Sequence, residues 1–309
     1  MKRIVTAIVL IPIVLVLVFK APLWLFAAVT CVVALLATHE YLFIAKHYGP
    51  VFTWKPYFYC VALFLAGYLY AVSADLKFWM LVVLGTAPLA YLIAAMRARD
   101  LRDGLPAAAY SLFALLYIGV SLLTLVWVRR YADGVLWIVL LFAVVWTGDA
   151  AAMYSGKLVG RHKLAPRISP KKTWEGSVGS IVGSVLAAVI VLRFRDGILR
   201  ASNPPAESWS IAGSGHGAAE VVLTPGMHHA AAAGNWMAPH SYVLAYILLA
   251  IVLNIAGQLG DLTESVLKRG AEVKDSGSLL PGHGGILDRI DALLFAAPVL
   301  WYYLVITRS

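Results

Sequence analysis

The sequence predicts an all-α integral membrane protein with about nine transmembrane helices. Of its 309 residues, 61% are hydrophobic and only 13% are charged, whereas soluble domains carry about 25% charged residues. Nine apolar runs approach or exceed the roughly 20 residues that a helix needs to cross a bilayer. The runs are continuous and do not alternate with a period of two, which favours helices over the strands of an outer-membrane barrel.

The predicted spans follow one another along the chain without an evident internal repeat. They are 4–19, 22–45, 56–73, 77–96, 106–128, 134–154, 176–194, 241–260 and 290–306. The first is short and tightly joined to the second, so these two could instead form one hairpin. We divide the chain into N-terminal transmembrane helices, residues 1–130, and a C-terminal catalytic region, residues 131–309. Residues 195–240 are rich in Gly, Pro, Ala and Ser, which is typical of a flexible insertion.

The net charge of +9 could suggest a nucleic-acid partner, but its distribution indicates membrane topology instead. About two thirds of the 25 Lys and Arg residues fall on one side of a nine-span topology, and such an excess marks the cytoplasmic side. We therefore expect a multi-pass protein of the bacterial cytoplasmic (inner) membrane, in contact with the lipid bilayer and with no nucleic-acid partner. Its N-terminus and polar loops would face the cytoplasm, and residues 195–240 the periplasm.

The most polar stretch, Ser265–Asp291, indicates a phosphate-binding site. Glycines and a proline interrupt its middle, so backbone N–H groups can approach a ligand closely, and the neighbouring cations suit an anion. Four carboxylates in or just before this stretch are hard oxygen ligands, which Mg²⁺ takes when it also holds substrate phosphates. They are Asp261, Asp275, Asp288 and Asp291. The combination predicts metal-dependent phosphoryl or nucleotidyl transfer.

Helical spacing brings some of these groups onto common faces. If the eighth span continues as a helix, Asp261 and Lys268 share a face, with Glu264 or Ser265 between them. Such a face could also be only an intrahelical row of ion pairs. Two carboxylates at the start of the last span are three residues apart and can share a face as well. Two helix ends would then bring carboxylates together at the membrane surface.

Other ionisable residues allow two interpretations. Asp149, near the end of the sixth span, is a functional candidate because charges are rare inside membranes; the alternative is a pair with Lys157 or Arg161. His283 could be a general acid/base, or it could hold the loop or contact a phosphate. We interpret His39-Glu40 as a pair with a structural role.

A second polar block, Ser169–Gly176 (SPKKTWEG), follows the sixth span in a basic loop. A basic segment beside a membrane span is often only a topology signal or a contact for anionic lipids. Here Ser169, Thr173 and Glu175 add directed hydrogen bonding that bulk attraction does not need. We interpret Trp174 as an interfacial anchor.

Both polar blocks resemble those of the phosphatidate cytidylyltransferase family. The matching residues are the SPKKTWEG run together with Ser265, Lys268-Arg269, Lys274-Asp275, Pro281, His283-Gly284-Gly285, Asp288-Arg289 and Asp291. The resemblance covers roughly residues 1–195 and 241–309, and the connection between them is longer than expected for the family. It implies that CTP and phosphatidate are the substrates and that CDP-diacylglycerol and pyrophosphate are the products. The carboxylates described above assign Mg²⁺ as the cofactor.

The resemblance and the chemistry of the side chains assign candidate roles. The catalytic candidates are Asp261, Lys274, Asp275, His283, Asp288 and Asp291. The substrate-binding candidates are Ser169, Lys171, Lys172, Thr173, Glu175, Ser265, Lys268, Arg269, Gly284, Gly285 and Arg289. The expected Mg²⁺ ligands are Asp261 and Asp288, with Asp149 as a further candidate.

Two alternative functions remain at this stage. One is a related nucleotidyl or phosphoryl transferase that acts on a polyprenyl lipid. The other is a transporter of phosphorylated solutes, but transporters place coupling charges near the bilayer midplane, often in repeated halves, whereas these carboxylates cluster at one face. The oligomeric state is left open, with a homodimer as one alternative.

The charge distribution predicts which loops an impermeant thiol reagent reaches in intact cells. In a background where Cys31 and Cys60 are replaced by alanine, Ser214→Cys should be labelled from the periplasm. Ser278→Cys should be labelled only after the membrane is opened. The measurement is the gel shift of the labelled protein, and equal labelling of both variants in intact cells would contradict the nine-span topology.

Overall fold

The structure, a computed structural model, describes residues 2–73, 76–98, 100–202, 239–277 and 284–308, with side chains from residue 11 and again from residue 243 after the long gap. Its α-helices are α1 Lys2–Lys20, α2 Leu23–Ala45, α3 Lys55–Val72, α4 Lys77–Ala95, α5 Leu101–Ala114, α6 Ser121–Arg130, α7 Gly134–Val159, α8 Trp174–Arg193, α9 Arg195–Ser202, α10 Pro239–Gly270 and α11 Leu287–Arg308. A π-helical turn, Leu115–Val120, joins α5 to α6. Two short strands, β1 Lys163–Ala165 and β2 Ser169–Thr173, pair antiparallel.

Eight helical segments of the described chain are long and apolar enough to cross a bilayer. They are α2, α3, α4, the continuous run from α5 through α6, α7, α8, α10 and α11. The predicted first span coincides with α1, whose side chains are described only over Ile11–Lys20, a stretch shorter than a membrane span. The all-α, multi-pass prediction is therefore confirmed, whereas the number nine is not.

The main differences from the predicted elements lie at the ends of apolar runs. Both α7 and α10 continue well beyond their apolar runs into polar residues, because a helix can keep its hydrogen bonds where the chain leaves the bilayer. Residues 195–202, assigned by their composition to a flexible insertion, instead form helix α9. Ile198 and Leu199 of α9 pack on the hydrophobic core, which accounts for its order; residues 203–238 lie outside the described chain.

Helices α7 and α8 pack closely through small residues. A Cβ atom at Gly179 or Gly183 of α8 would overlap Ser155 or Ala151 of α7. Within a bilayer, helices gain little from the hydrophobic effect on association, so close backbone approach at small residues replaces it. This contact fixes α7 and α8 as one wall of the bundle.

A row of polar side chains joins α8 to α10 inside the bundle. Asn254 Nδ2 donates to Ser180 Oγ at 2.8 Å and Ser184 Oγ at 2.7 Å. Gln258 Nε2 donates to Asn254 Oδ1 at 2.6 Å, and Ser177 Oγ donates to Gln258 Oε1 at 2.5 Å. Polar groups at membrane depth require such partners. The row therefore fixes the rotation of α10 relative to α8.

The two ends of the bundle are held by different contacts. At one end, Tyr48 Oη after α2 donates to the Leu267 carbonyl of α10 at 2.7 Å. At the other end, Arg308 of α11 forms an ion pair with Asp133, with Nη1 donating to Oδ1 at 2.9 Å. The first end collects the final turns of α7 and α10, the first turns of α8 and α11, and both strands. Both polar blocks therefore lie at the same end of the bundle.

The close α7–α8 contact predicts a penalty for one added methyl group. Gly183→Ala would place a Cβ 2.5 Å from the Ala151 Cβ, so we expect the free energy of unfolding to fall by about 1–3 kcal/mol, as in other overpacked interiors. Gly85→Ala on α4, where nothing described lies within 4 Å, is the matched control. Thermal unfolding in one detergent compares the variants, and equal midpoints would contradict the packing.

Candidate functional site

A cavity of about 830 Å³ lies at the end of the bundle where both polar blocks meet. Helices α7, α8, α10 and α11, both strands and the loop after α10 all contribute to its lining. The carboxylates that line it are Asp149, Asp261, Glu264, Asp275, Asp288 and Asp291. The basic side chains that line it are Lys157, Lys163, Lys171, Lys172, Lys268 and Arg289. The cavity thus combines groups that bind phosphates with groups that bind cations.

The first polar block reaches the cavity through strand β2. Lys172 Nζ lies 2.7 Å from Asp261 Oδ2 on α10, so an ion pair joins the two blocks. The next residue, Thr173, is the N-cap of α8, where its Oγ1 accepts a hydrogen bond from Gly176 N at 3.1 Å. Such a cap stabilises a helix by about 1 kcal/mol. The cap holds the end of β2 and thereby the position of Lys172.

Lys268 of α10 is shared by two carboxylates. Its Nζ lies 2.6 Å from Glu264 Oε2, one turn earlier on the same helix, and 2.5 Å from Asp288 Oδ1 on α11. Glu264 is only 1% exposed. An unpaired charge at such a depth costs several kcal/mol. The expected helical face from Asp261 to Lys268 is present, and it pairs with α11 as well as within α10.

Asp288 organises the start of α11 and the loop before it. Its Oδ2 accepts hydrogen bonds from Ser276 N at 3.0 Å and Gly285 N at 2.8 Å. Gly284 has φ +78°, a conformation that glycine adopts without the strain of a side chain. A carboxylate offers about four lone-pair positions, and Lys268 with the two amides occupies three of them. Contacts with three described residues therefore fix the Asp288 carboxylate at the edge of the cavity.

Asp149 faces the same cavity from α7. Among the described residues it forms no ion pair with Lys157 or Arg161, the partners that a structural role required. The cations that act on it electrostatically are Lys172 and Arg289. Its neighbours also include the carboxylate of Asp261. Asp149 is therefore placed as a residue of the cavity.

The donor set suits a hard cation. In the part of the chain that the structure describes, no three His, Cys, Asp or Glu side chains form a group that could bind a metal ion as they stand. The buried Glu264 Oε1 nevertheless has no described hydrogen-bond partner. Asp291, also buried, experiences the charges of Asp149, Asp261 and Glu264. Carboxylate oxygens are hard ligands of the kind that Mg²⁺ takes when it also holds phosphates, and several of them line this cavity, so the residues fit a divalent metal.

Several predicted site residues do not line the cavity. They are Ser169, Glu175, Ser265, Arg269, Lys274, Gly284 and Gly285. Glu175 instead contacts His162, with His162 Nδ1 2.6 Å from Glu175 Oε1, and Arg269 Nε donates to the Ile168 carbonyl at 3.4 Å. The first contact lies just before β1 and the second lies in the turn between β1 and β2, so together they hold the hairpin in place. His283 lies outside the described residues.

Sequence reasoning missed other residues of the cavity. Gln258 lies one turn before Asp261, so helical spacing could have assigned it; the same spacing places Glu264 on the face of Asp261, as an alternative to Ser265, but gives it no role in the site. Lys163 belongs to β1, and no periodic pattern marks so short a strand. The predicted pairing of His39 with Glu40 was wrong, because adjacent helical residues point in different directions. His39 Nδ1 lies 2.9 Å from Tyr57 Oη, and Glu40 turns towards the loop before α11.

Comparisons with known proteins find a family match over nearly the whole chain. Residues 1–307 match the cytidylyltransferase family. The chain is 38% identical over 201 residues to a phosphatidate cytidylyltransferase of Brucella suis biovar 1 (strain 1330), covering 65% of this chain and 57% of that protein. It is 32% identical over 226 residues to the protein of that name from Staphylococcus saprophyticus, covering 73% and 68%. The chain thus spans somewhat more than half the length of its Brucella relative.

The shared ion pair predicts a large loss of stability when its cation is removed. Lys268→Met keeps most of the side-chain volume but leaves Glu264 and Asp288 without their partner, and breaking a buried pair in this way costs about 3–5 kcal/mol. Thermal unfolding in detergent measures the loss. Lys46→Met, at an exposed lysine after α2, is the control. If both variants unfold at the same temperature, the ion pair does not stabilise the site.

Proposed function

The chain belongs to the cytidylyltransferase family, and we propose that it transfers the cytidylyl group of CTP to phosphatidate, giving CDP-diacylglycerol and pyrophosphate for phospholipid synthesis. The observation that carries the proposal is the cavity at one end of a membrane bundle, lined by lysines of the first polar block and by cations and carboxylates in or just before the second. The names of the relatives from Brucella and Staphylococcus support the same reaction.

The position of the cavity suits two substrates of different solubility. Phosphatidate is held in the bilayer by its acyl chains, whereas CTP is a charged, water-soluble nucleotide. A cavity at the end of a membrane bundle is within reach of both. We propose that Lys171 and Lys172 from the first block, with Lys268 and Arg289 from the second, bind the phosphates of the two substrates.

In the proposed reaction, a phosphate oxygen of phosphatidate attacks the α-phosphorus of CTP. A new P–O–P bond forms, the bond between the α-phosphorus and the bridging oxygen to the β-phosphorus breaks, and pyrophosphate leaves with that bonding pair. A phosphate monoester has a second pKa of about 6, so the nucleophile is already anionic at neutral pH and needs no general base. The residues of the cavity therefore contribute positioning and charge neutralisation.

We assign Mg²⁺ as the cofactor, with Asp149, Asp261 and Asp288 as the residues that would hold it. When bound, it would offset negative charge on the reacting phosphates. Charge balance supports the assignment: as many carboxylates as basic side chains line the cavity, so a triphosphate and a lipid phosphate together would leave it strongly negative. Asp275 and Asp291 would support the ligands from positions nearby.

The proposed location is the bacterial cytoplasmic membrane, with the cavity on the cytoplasmic side, where CTP is available. Loops with excess Lys and Arg on that side support this orientation.

Pyrophosphate release by the purified protein tests the proposal. We expect release from CTP only when phosphatidate is present, loss of activity with EDTA, and recovery with Mg²⁺. Asp261→Asn should lower kcat about a hundredfold or more, because a ligand that strengthens in the transition state contributes several kcal/mol. Asp196→Asn on α9, the same chemical change at an exposed residue of the opposite end, should leave kcat within twofold.

Three outcomes would contradict the proposed function. One is near-parental turnover of a correctly inserted Asp261→Asn protein at limiting Mg²⁺. Another is pyrophosphate release with a polyprenyl phosphate acceptor but none with phosphatidate. The third is flux of a phosphorylated solute into proteoliposomes without any release of pyrophosphate.

A further inference from the structure

Glu40 is a buried carboxylate of α2, far along the chain from both polar blocks. Only 2% of the residue is exposed. It belongs to the N-terminal helices, to which the sequence assigned no part of the site. A carboxylate buried this deeply requires hydrogen-bond donors, and the donors that Glu40 finds all belong to the second polar block.

Three donors converge on the Glu40 carboxylate from the loop before α11. Its Oε1 accepts a hydrogen bond from Ile286 N at 3.0 Å. Its Oε2 accepts from Leu287 N at 2.8 Å and from Ser276 Oγ at 3.0 Å. Because Leu287 begins α11, the carboxylate also lies where a negative charge favours a helix N-terminus. Glu40 thus holds both sides of the loop.

Two glycines of the loop leave room for the carboxylate. A Cβ atom at Gly277 would lie 2.6 Å from Glu40 Oε1, and a Cβ atom at Gly285 would overlap both Glu40 Oε2 and Ser276 Oγ. Glycine at both positions therefore lets the loop close around Glu40. The loop sequence and the distant glutamate are sterically matched.

The same loop determines the position of Asp288. Ser276 N donates to Asp288 Oδ2 at 3.0 Å, and Asp288 N donates back to Ser276 Oγ at 3.3 Å. Asp288 in turn holds Lys268 Nζ at 2.5 Å. A continuous path of hydrogen bonds therefore leads from Glu40 through Ser276 and Asp288 to Lys268, a cation of the cavity.

We propose that Glu40 is a positioning residue of the transferase site. It touches neither the cavity lining nor, by this assignment, a substrate. Its carboxylate fixes Ser276 and the first turn of α11, so that Asp288 and Lys268 are held in the geometry that the reaction needs. The inference rests on the proposed function, and it adds to that function a residue outside both polar blocks.

Glu40→Gln tests the positioning role while keeping the shape of the side chain. The amide has only one oxygen, so either Ile286 N or Leu287 N must face an NH₂ group. We expect kcat to fall about 10- to 100-fold, since misplacement of reacting groups by about 1 Å can cost a hundredfold. The KM for CTP should stay within about threefold of the parent, because Lys171 and Lys172 of the first polar block lie outside this path.

Thr30→Val is the matched control on the same helix. It also removes a buried side-chain hydrogen bond of α2, the one from Thr30 Oγ1 to the Phe26 carbonyl at 2.8 Å, but it touches no part of the loop. It should keep parental kcat. An equal loss of kcat in Thr30→Val and Glu40→Gln would show that any loosening of α2 impairs the enzyme, and would overturn the proposal.

Ser276→Ala interrupts the path at its next residue. We expect a loss of kcat similar to that of Glu40→Gln, and a double variant no slower than the slower single variant, because residues that act through one another are not additive. If Glu40→Gln does not accumulate in the membrane, the kcat of Ser276→Ala alone tests the proposal. Parental kcat in Ser276→Ala, or multiplied losses in the double variant, would overturn the proposal.

Hydrogen–deuterium exchange separates this inference from the proposed function. Peptides that contain residues 284–290 should exchange faster in Glu40→Gln than in the parent or in Thr30→Val, whatever reaction the protein catalyses. Unchanged exchange together with parental kcat would overturn the role of Glu40 and leave the transferase assignment intact. If the parent protein releases no pyrophosphate from CTP in the presence of phosphatidate, the transferase assignment itself is overturned. Faster exchange of the loop in Glu40→Gln would then support a positioning role in another reaction.

Discussion

The position of Lys268 between Glu264 and Asp288 is the interaction on which the site depends. Charged groups near a bilayer persist only when they are paired or reach water. One ammonium group satisfies a carboxylate from each of two helices, and it thereby fixes the end of α10 against the start of α11. The Lys172–Asp261 pair extends the same arrangement to β2. The geometry of the cavity follows from these pairs, since Lys268–Asp288 and Lys172–Asp261 each bring a cation and an acid from separate elements to within hydrogen-bond distance.

Helix α2 and the turn after it stabilise the ends of α10 and α11. Glu40 contacts the start of α11 and Tyr48 contacts the end of α10, so two residues two turns apart hold both sides of the second polar block. The predicted N-terminal helices, residues 1–130, are therefore in direct contact with the catalytic region and help to position it. Among the residues that the structure describes, the first region contributes none to the cavity lining, yet its contacts fix the position of that lining.

Much of the fold could be predicted because long apolar runs have few alternatives in a bilayer. Helical spacing also brought Asp261 and Lys268 onto one face, as the structure has them. The number of spans could not be decided in this way, since the first run is short. Helix α9 could not be predicted either, because its two packed apolar residues lie in a segment rich in Gly and Ala. The contacts of Lys163 and Glu40 could not be predicted, because one lies on a three-residue strand and the other meets its partners through tertiary packing alone.

The separation of Glu40 from its donors has a consequence for the synthesis of the protein. Leu287 follows Glu40 by 247 residues, and a ribosome adds about 5–20 residues per second. The glutamate therefore emerges about 12–50 s before the amide that completes its hydrogen bonds. During that interval α2 is a nascent membrane helix, and the three hydrogen-bond donors of its Glu40 carboxylate have not yet been translated. Helix α11 is translated long after α2 and completes the site, so a chain truncated before α11 would carry an unmatched charge in α2.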